Sequence, residues 1–413
     1  MKILVIAESL RINETSSGIV TSTFLKALSE NKDNEIVCLY DKVFDYDITW
    51  LTGIRAIKLK KRSYKKSLII DRIPKLRGLT TCMTGIHAKL KHEIKDWKSE
   101  INKTLNKEKF DIIISLGSGS EFYPYYAMLE IDAKTPWLAN FHDPFPMSVY
   151  PEPYKQKRNW INKNQEKITQ KIIKRASFVS FPSLYLKDLM QEKYLFSNEK
   201  SIILPHVGIR LNNLPNVVLD SKVHLDVSKF NILHAGTLLG PRKVEALFKA
   251  FNLFLEENTE RQESAVLNIL GKVAKEHQKI KIIITKYPSN FNVITDRVSY
   301  KKSLELTKLA DVSLIIEADA KFSPFMPGKL ADLIYLEKPI LALTPKKSET
   351  IRILGEHYPY QAGVNDVEEI YSNLVLLWNN WKNNNLELTD IIRLKNYISA
   401  EELNKKINTL RKC

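Results

Sequence analysis

The sequence predicts an α/β fold with two tandem doubly wound domains that face a cleft. Short runs of apolar, β-branched residues alternate with longer segments of helical periodicity along the whole chain. The pattern breaks after residue 207 and starts again near residue 229. The length of 413 residues is enough for two to three domains. Tandem repetition of one architecture is therefore the expected organisation.

The first series of elements predicts a parallel sheet. Its strands are expected at Lys2–Ala7, Glu35–Tyr40, Asp111–Leu116, Trp137–Phe141, Phe178–Phe181 and Ser201–Leu204. Helical patterns at Ile19–Leu28 and Gln165–Arg175 lie between them. These residues predict an N-terminal Rossmann-like domain over residues 1–207.

The second series repeats the same alternation. Strands are expected at Phe230–Ala235, Val266–Leu270, Phe291–Thr295, Val312–Ile316 and Ile340–Leu343, with helices such as Val244–Phe254 and Ser303–Leu309 between them. Residues 208–228 lack periodicity and predict a linker. A second Rossmann-like domain is expected over residues 229–385. The helical segment 386–413 is expected to pack on that domain or to cross back to the first one.

Composition restricts the functional classes. A hydrophobic content of 44% excludes a disordered chain, and a net charge of +16 favours anionic partners. The three cysteines, Cys38, Cys82 and Cys413, have no zinc-like spacing and indicate a reduced, cytoplasmic setting. The apolar run Ile3–Ala7 is too short for a signal peptide or a membrane span. We therefore expect a cytoplasmic protein without a metal site.

More than half of the charge excess lies in one segment. Residues 55–77 contain ten basic residues and one acid, and a stripe of helix-spaced apolar residues follows at Ile86, Leu90, Ile94, Trp97, Ile101 and Leu105. A basic segment leading into an amphipathic helix favours binding to an anionic membrane surface through residues 55–105, on the inner face of the cytoplasmic membrane. Alternatively, the stripe packs on the sheet and the lysines are solvated. We expect no nucleic acid, because aromatic residues do not alternate with the charges.

Two segments of the first half carry candidate site residues. Gly18 lies near the start of the first helix, where free backbone amides can approach a ligand, although a turn glycine is equally consistent. His142 and Asp143 follow a strand directly, and Pro144 turns the chain out of the sheet. His142 could act as a base or a hydrogen-bond donor, and Asp143 as a base, an orienting carboxylate or a turn cap.

Two segments of the second half suit a phosphate ligand. Gly236 opens a loop between a strand and a helix, and the loop ends in Arg242 and Lys243. Cations at a helix start would meet a diphosphate with both charge and helix dipole. Lys329 and Asp332 lie one helical turn apart after a second loop, where Lys329 suits phosphate and Asp332 suits a ribose diol. A surface Lys–Asp pair explains the second segment equally well.

Taken together, these segments resemble the GT-B glycosyltransferases that use nucleotide sugars, and specifically their family 4. Five segments over most of the chain carry the resemblance: the loop ending in Gly18, Phe141–Phe145, His234–Arg242, Ala310–Ile316, and Pro327–Asp332 continuing to Pro339. The resemblance implies that the C-terminal domain binds the nucleotide sugar through Arg242 and Lys329 on the diphosphate and Asp332 on the ribose. It also implies an acceptor-binding N-terminal domain, no metal requirement and no cofactor.

The sequence departs from this family at one position. Better-known members carry two glutamates eight positions apart, and the corresponding positions here are Pro324 and Asp332. The first carboxylate is absent, and Glu317 or Asp319 could replace it. We include Glu317 among the candidate catalytic residues with His142 and Asp143.

The resulting hypothesis is a glycosyltransferase of cell-surface polysaccharide synthesis that acts with retention. It would move a sugar from a nucleoside diphosphate sugar to a glycan or lipid-linked acceptor. A nucleotide-sugar epimerase or hydrolase of the same fold is one alternative. An inactive membrane-binding or glycan-binding scaffold is another.

Overall fold

The structure is a computed structural model, which describes residues 1–42, 48, 50–61, 73–74, 76, 78–79, 81, 86, 88–117, 122–209, 214, 223–277, 286–295 and 298–411. The chain forms two units. The first comprises Met1–Val207 and Ser399–Cys413, and the second comprises Gly208–Ile398. Each unit contains a parallel sheet, which confirms the predicted α/β class with two Rossmann-like units.

The first unit is built on a seven-stranded sheet. Its strands are β1 (Lys2–Ser9), β2 (Glu35–Lys42), β3 (Ile54–Lys58), β4 (Ile112–Leu116), β5 (Trp137–Asn140), β6 (Phe178–Phe181) and β7 (Ser201–Ile203). The order is β3-β2-β1-β4-β5-β6-β7, and every pair is parallel. The strands that follow β1 in sequence are added first on one side of it (β2 and β3) and then on the other (β4 to β7), so the strand order reverses between β1 and β4. Open sheets of this type bind ligands beyond the strand ends at such a point.

The helices of the first unit are α1 (Ser16–Glu30), α2 (Ala88–Lys107), α3 (Tyr123–Leu129), α4 (Trp160–Arg175) and α5 (Leu184–Tyr194). Helix α3 packs against both α2 and α4, so the three helices form one layer. The last helix of the chain, at Ala400–Thr409, also belongs to this unit and packs on α1. Asn404 fixes that contact, because its side-chain amide donates to the Ala27 carbonyl at 2.8 Å.

The second unit has a six-stranded sheet. Its strands are β8 (Phe230–Ala235), β9 (Ala265–Leu270), β10 (Phe291–Ile294), β11 (Val312–Ile316), β13 (Ile340–Leu343) and β15 (Gln361–Ala362). The order is β10-β9-β8-β11-β13-β15, again with parallel pairs. Two short strands, β12 (Phe322–Ser323) and β14 (Lys347–Ser348), pair beside it. The helices are α6 (Glu245–Glu256), α7 (Thr259–Ser264), α8 (Tyr300–Leu309), α9 (Gly328–Tyr335), α10 (Glu349–Leu354), α11 (Val367–Lys382) and α12 (Ile391–Tyr397); the helix at Ala400–Thr409 is α13.

The predicted strands match the observed ones to within two residues at each end, but four observed strands were not predicted: β3 and the two-residue strands β12, β14 and β15. Strand β3 lies at the edge of its sheet and carries Arg55 and Lys58, which the sequence analysis assigned to a basic stretch. An edge strand with one face in water has only a partial apolar pattern.

The apolar stripe predicted to face a membrane instead lies in the core of the first unit. Leu90, Ile94, Trp97 and Ile101 of α2 are buried, and Ile86 and Leu105 pack against the same cluster. The lipid-facing interpretation of this stripe is therefore wrong, because its apolar surface already covers the sheet. Membrane binding by the charges of residues 55–77 stays a prediction, and residues 62–72 lie outside the described residues. None of the helices in the described part of the chain has both the length and the apolar character to cross a bilayer.

Candidate functional site

The second unit carries its candidate site at the carboxyl edge of its sheet, around the loop that follows β8. Gly236 begins this loop with φ of +141°, a left-handed backbone that favours glycine. Gly271 lies beside it, and a side chain on Gly271 would come within 2.5 Å of the Gly236 carbonyl oxygen. Nε2 of the His277 ring donates a hydrogen bond to the Leu239 carbonyl at 2.9 Å. The loop is thereby held in place in front of Arg242.

Lys329 lies half-buried in the first turn of α9. Its ammonium donates to the Leu314 carbonyl at 2.8 Å and lies 3.1 Å from Nδ1 of His234. Burial, together with the positive charge of Arg242, holds the pKa of Lys329 well below its usual range. Both hydrogen-bond partners are neutral, since burial also holds the pKa of His234 well below its ordinary value. An anion bound beside Lys329 would raise its pKa and so favour the charged ammonium.

Arg242 is half-buried and connects the other charged residues of this edge. Its Nη1 lies 3.4 Å from the Thr237 carbonyl, and its buried Nε has no hydrogen-bond partner among the residues that the structure describes. The guanidinium acts electrostatically on His234, Lys329 and Glu317, as the shifts in their pKa values indicate. These residues come from β8, α9 and the end of β11, so the fold brings together groups far apart in sequence.

Lys243 does not share this environment. Its ammonium forms an exposed ion pair with Asp319 at 2.8 Å. The predicted pair Arg242–Lys243 is thus divided: Arg242 lies with the buried groups and Lys243 is neutralised at the surface. Asp319, which the sequence analysis considered as a replacement for the missing carboxylate, is the partner that neutralises it.

Glu317 is buried at the end of β11 and is held by hydroxyl groups. Ser348 lies 2.9 Å from Oε1, and Thr350 also donates to the carboxylate. Burial raises the pKa of Glu317, while these hydroxyls and the charge of Arg242 act in the opposite direction. The carboxylate therefore positions the β14–α10 segment as well as facing Arg242.

Asp332 is buried on α9 and accepts a hydrogen bond from the Tyr300 hydroxyl at 2.7 Å. Burial raises the pKa of Asp332 to about 7, although the bond from Tyr300 favours ionisation. The structure thus gives a partner to the carboxylate that was assigned to a ribose. Tyr300 and His234 are the residues whose contacts at this edge the sequence did not predict; no local spacing signals a contact across 32 or 95 residues.

In the first unit, Gly18 has a local structural reason. A side chain at Gly18 would approach the Arg11 carbonyl oxygen to 2.4 Å, and the Gly18 amide already donates to the Thr15 side chain at 3.0 Å. Thr15 is the N-cap of α1. The turn-glycine interpretation is therefore sufficient for this residue, and its ligand-binding role stays a prediction.

His142 and Asp143 lie beyond the carboxyl end of β5, as predicted. The His142 ring stacks on His206 with a centroid separation of 5.9 Å, beside a small pocket that also includes Val20 and Phe24 of α1. Within the described part of the chain, the buried Nε2 of His142 has no hydrogen-bond partner. Burial lowers the pKa of His142 to about 4 and raises that of Asp143 to about 6. Near neutral pH the imidazole is uncharged and suits hydrogen bonding, whereas Asp143 has the better pKa for a base.

Within the described ranges, no three His, Cys, Asp or Glu side chains are grouped so that they could hold a metal ion. Compared with models of protein families and with curated proteins, the sequence has no match.

Solved structures do resemble it over its full length. A glycosyltransferase from Rickettsia africae is 12% identical with a TM-score of 0.63, covering 100% of this chain and 98% of its own. The lipopolysaccharide outer core galactosyltransferase WaaB is 13% identical with a TM-score of 0.57, covering 99% of both chains. A chain described as a UDP-N-acetylglucosamine 2-epimerase, from Listeria monocytogenes, is 11% identical with a TM-score of 0.52, covering 99% and 94%. At such low identity the likeness establishes the fold alone, and this chain has the GT-B fold.

Proposed function

We propose that the chain is a glycosyltransferase that resembles family 4 and transfers a sugar from a nucleoside diphosphate sugar to a glycan or lipid-linked acceptor. The observation that carries this proposal is the arrangement of Arg242 and Lys329. Two cationic groups lie at the carboxyl edge of the second sheet, and the buried ammonium is bonded to neutral groups only. The diphosphate of a nucleotide sugar would give this ammonium an anionic partner. The glycosyltransferases among the structures of similar fold agree with this choice.

In the proposed reaction, the bond between the anomeric carbon and the diphosphate oxygen breaks as the acceptor hydroxyl oxygen bonds to that carbon. The electron pair stays on the released nucleoside diphosphate, and the hydroxyl proton passes to Asp143 or to the departing diphosphate. Arg242 and Lys329 stabilise the charge that develops on the diphosphate, so the proposal does not require a metal. Retention of configuration follows from the resemblance to family 4, as does a role in cell-surface polysaccharide synthesis.

Candidate roles for the remaining residues follow from their surroundings. Asp332 would bind the ribose once its hydrogen bond from Tyr300 is shared with a ribose hydroxyl. His142, which is neutral near pH 7, would orient a sugar hydroxyl, and Asp143 would accept a proton. Glu317 would hold Arg242 rather than touch the sugar, because hydroxyl groups of the protein already surround its carboxylate.

A thermal-shift screen against UDP, GDP, ADP, CMP and their common sugars tests the donor site. We expect one nucleoside diphosphate to raise the melting temperature of the wild-type protein. Arg242→Ala should abolish that rise, whereas Lys249→Ala, which removes a charge from the exposed face of α6, should keep it. No rise with any nucleotide, or an unchanged rise in Arg242→Ala, would contradict the diphosphate assignment.

The epimerase-like neighbour makes a nucleotide-sugar epimerase or hydrolase the second candidate. The two classes differ in their need for an acceptor. Conversion or hydrolysis of the sugar nucleotide in the absence of any acceptor, followed by nuclear magnetic resonance, would favour the second candidate. Turnover that appears only with an acceptor would favour the transferase. Nucleotide binding without turnover under either condition would instead favour an inactive scaffold.

A further inference from the structure

Helix α4 of the first unit carries an exposed stripe that the function proposed above does not use. Its outward positions are Trp160, Lys163, Lys167, Lys171 and Lys174, all of them exposed. The spacings of 3, 4, 4 and 3 residues place these side chains on one face of the helix. At 1.5 Å per residue the stripe extends over about 21 Å.

The opposite face of α4 attaches the helix to the unit. Glu166, Thr169, Ile172 and Ile173 are buried there, and Ile172 and Ile173 belong to the hydrophobic core. A capping box between Asn159 and Asn162 fixes the first turn, which includes Trp160. The stripe is therefore presented on a rigid element.

Basic residues far outnumber acidic ones in and just before α4. Residues 155–175 contain eight basic residues and one acid. That acid, Glu166, is already engaged by Arg158 at 2.6 Å and Lys193 at 3.1 Å. Helix α2, in the same layer, contains six lysines but also three acids, Glu93, Asp96 and Glu100. Of these two segments of the helical layer, residues 155–175 therefore carry the larger net positive charge.

Trp160 is the unusual member of the stripe. Its side chain is 69% exposed, and among the described residues it is the one tryptophan in the exposed class. The Lys163 ammonium lies 4.7 Å from the centroid of its ring. Tryptophan is favoured at the boundary between water and lipid, where its ring is buried and its N–H reaches polar groups. Because α4 joins the parallel strands β5 and β6, Trp160 lies toward the carboxyl edge of the sheet, the same edge as His142 and Asp143.

We propose that the α4 stripe is a docking surface for an anionic phospholipid bilayer. The lysines would contact lipid phosphates, and Trp160 would enter the headgroup region. The apolar face of α4 is occupied by the core, so the attraction would be mainly electrostatic and strongly dependent on salt. A single aromatic at one end of a row of lysines does not fit a single-stranded nucleic acid, which requires successive stacking platforms.

Vesicle co-sedimentation of the full chain tests this surface, with vesicles of phosphatidylglycerol and phosphatidylcholine compared with phosphatidylcholine alone. Binding should require the anionic lipid. The triple variant Lys163→Gln, Lys167→Gln, Lys171→Gln should bind roughly a hundredfold more weakly, at about fivefold per lysine. Trp160→Ala should weaken binding at every salt concentration without changing the salt dependence.

A matched variant with Lys249→Gln, Lys308→Gln and Lys405→Gln removes the same charge from three exposed positions on other helices and should bind as the wild type does. Equal binding by the α4 variant and this control would overturn the proposal. So would binding to phosphatidylcholine alone, or displacement of the wild type from vesicles by an equimolar oligonucleotide. A variant with Lys58→Gln, Lys60→Gln and Lys61→Gln separates the surfaces: loss of binding there, with full binding in the α4 variant, would also overturn it. The nucleotide thermal shift should be unchanged in the α4 variant.

Discussion

Replacing Lys329 with methionine tests the central charge of the candidate donor site. Methionine keeps the length and apolar stem of the side chain, and it removes the donor to the Leu314 carbonyl and to His234. It also removes a group whose charged form is disfavoured by burial and by Arg242. These effects on the free protein oppose each other, so we expect the variant to fold with a melting temperature close to that of the wild type.

The effect on ligand binding should be larger. Loss of one charge-assisted hydrogen bond to phosphate costs about 1.5–3 kcal/mol, which corresponds to roughly 10- to 150-fold weaker binding. Lys338→Met is the matched control: its ammonium donates to the Ala310 carbonyl at 2.7 Å and its pKa is also lowered by burial, but Ala310 precedes β11 at the opposite edge of the sheet. Isothermal titration of the stabilising nucleotide should separate the two variants.

The same titration has a defined dependence on pH. In the free protein the depressed pKa of Lys329 favours the neutral amine, whereas a bound diphosphate would favour the ammonium. Binding should therefore take up a proton and weaken as pH rises, in a range that lies below the usual pKa of lysine. Titrations in two buffers of different ionisation enthalpy measure this uptake. Wild-type affinity in Lys329→Met, or the same proton uptake with and without Lys329, would refute the assignment.

Two further predictions concern the effect of single substitutions on the stability of the folded protein. Asp332→Asn should raise the melting temperature at pH 8 but not at pH 4. The pKa of Asp332 is about 7 in the folded protein and lower in the unfolded chain, so ionisation of this carboxyl destabilises the folded protein as pH rises toward 7 and above. If the melting temperature of the variant depends on pH between 4 and 9 as that of the wild type does, Asp332 does not titrate there. The Tyr300 hydroxyl can still donate to the asparagine oxygen. Gly18→Ala should destabilise the protein by about 1–3 kcal/mol in urea unfolding, since the new side chain would meet the Arg11 carbonyl. Gly78→Ala is the control: its side chain meets open space on a helical backbone, so it should not lower the free energy of unfolding.

The sequence was sufficient for the framework of the fold. Strand Ile340–Leu343 is wholly apolar and Phe178–Phe181 is apolar except for Ser180, because parallel strands are covered on both faces. The same reasoning failed for β3, whose edge position leaves it half exposed, and for the apolar stripe of α2, whose periodicity does not say whether it faces a core or a lipid surface. Periodicity identifies a buried face but not the surface that covers it.

The places of the site residues in the fold could be predicted from the sequence, but their hydrogen-bond partners could not. Loops that precede helices at strand ends are recognisable, and Arg242 and Lys329 both lie in such places. The chemistry of the site depends on side-chain hydrogen bonds that spacing does not predict: between His234 and Lys329, between Tyr300 and Asp332, and between Thr350 and Glu317. Each joins elements separated by at least 32 residues, and each depends on which way a buried side chain turns after the sheet has formed.

The departure at Pro324 leaves Asp319 and Glu317 as the acids that could replace the missing carboxylate. The resemblance to family 4 implies that this carboxylate contacts the sugar hydroxyls. Here Asp319 is paired with Lys243 at the surface, and the pKa of Glu317 is raised by burial, so neither offsets Lys329 as a free carboxylate would. The buried ammonium therefore has its strongest available stabilisation in a bound anion, which ties the charged state of Lys329 to occupancy of the site.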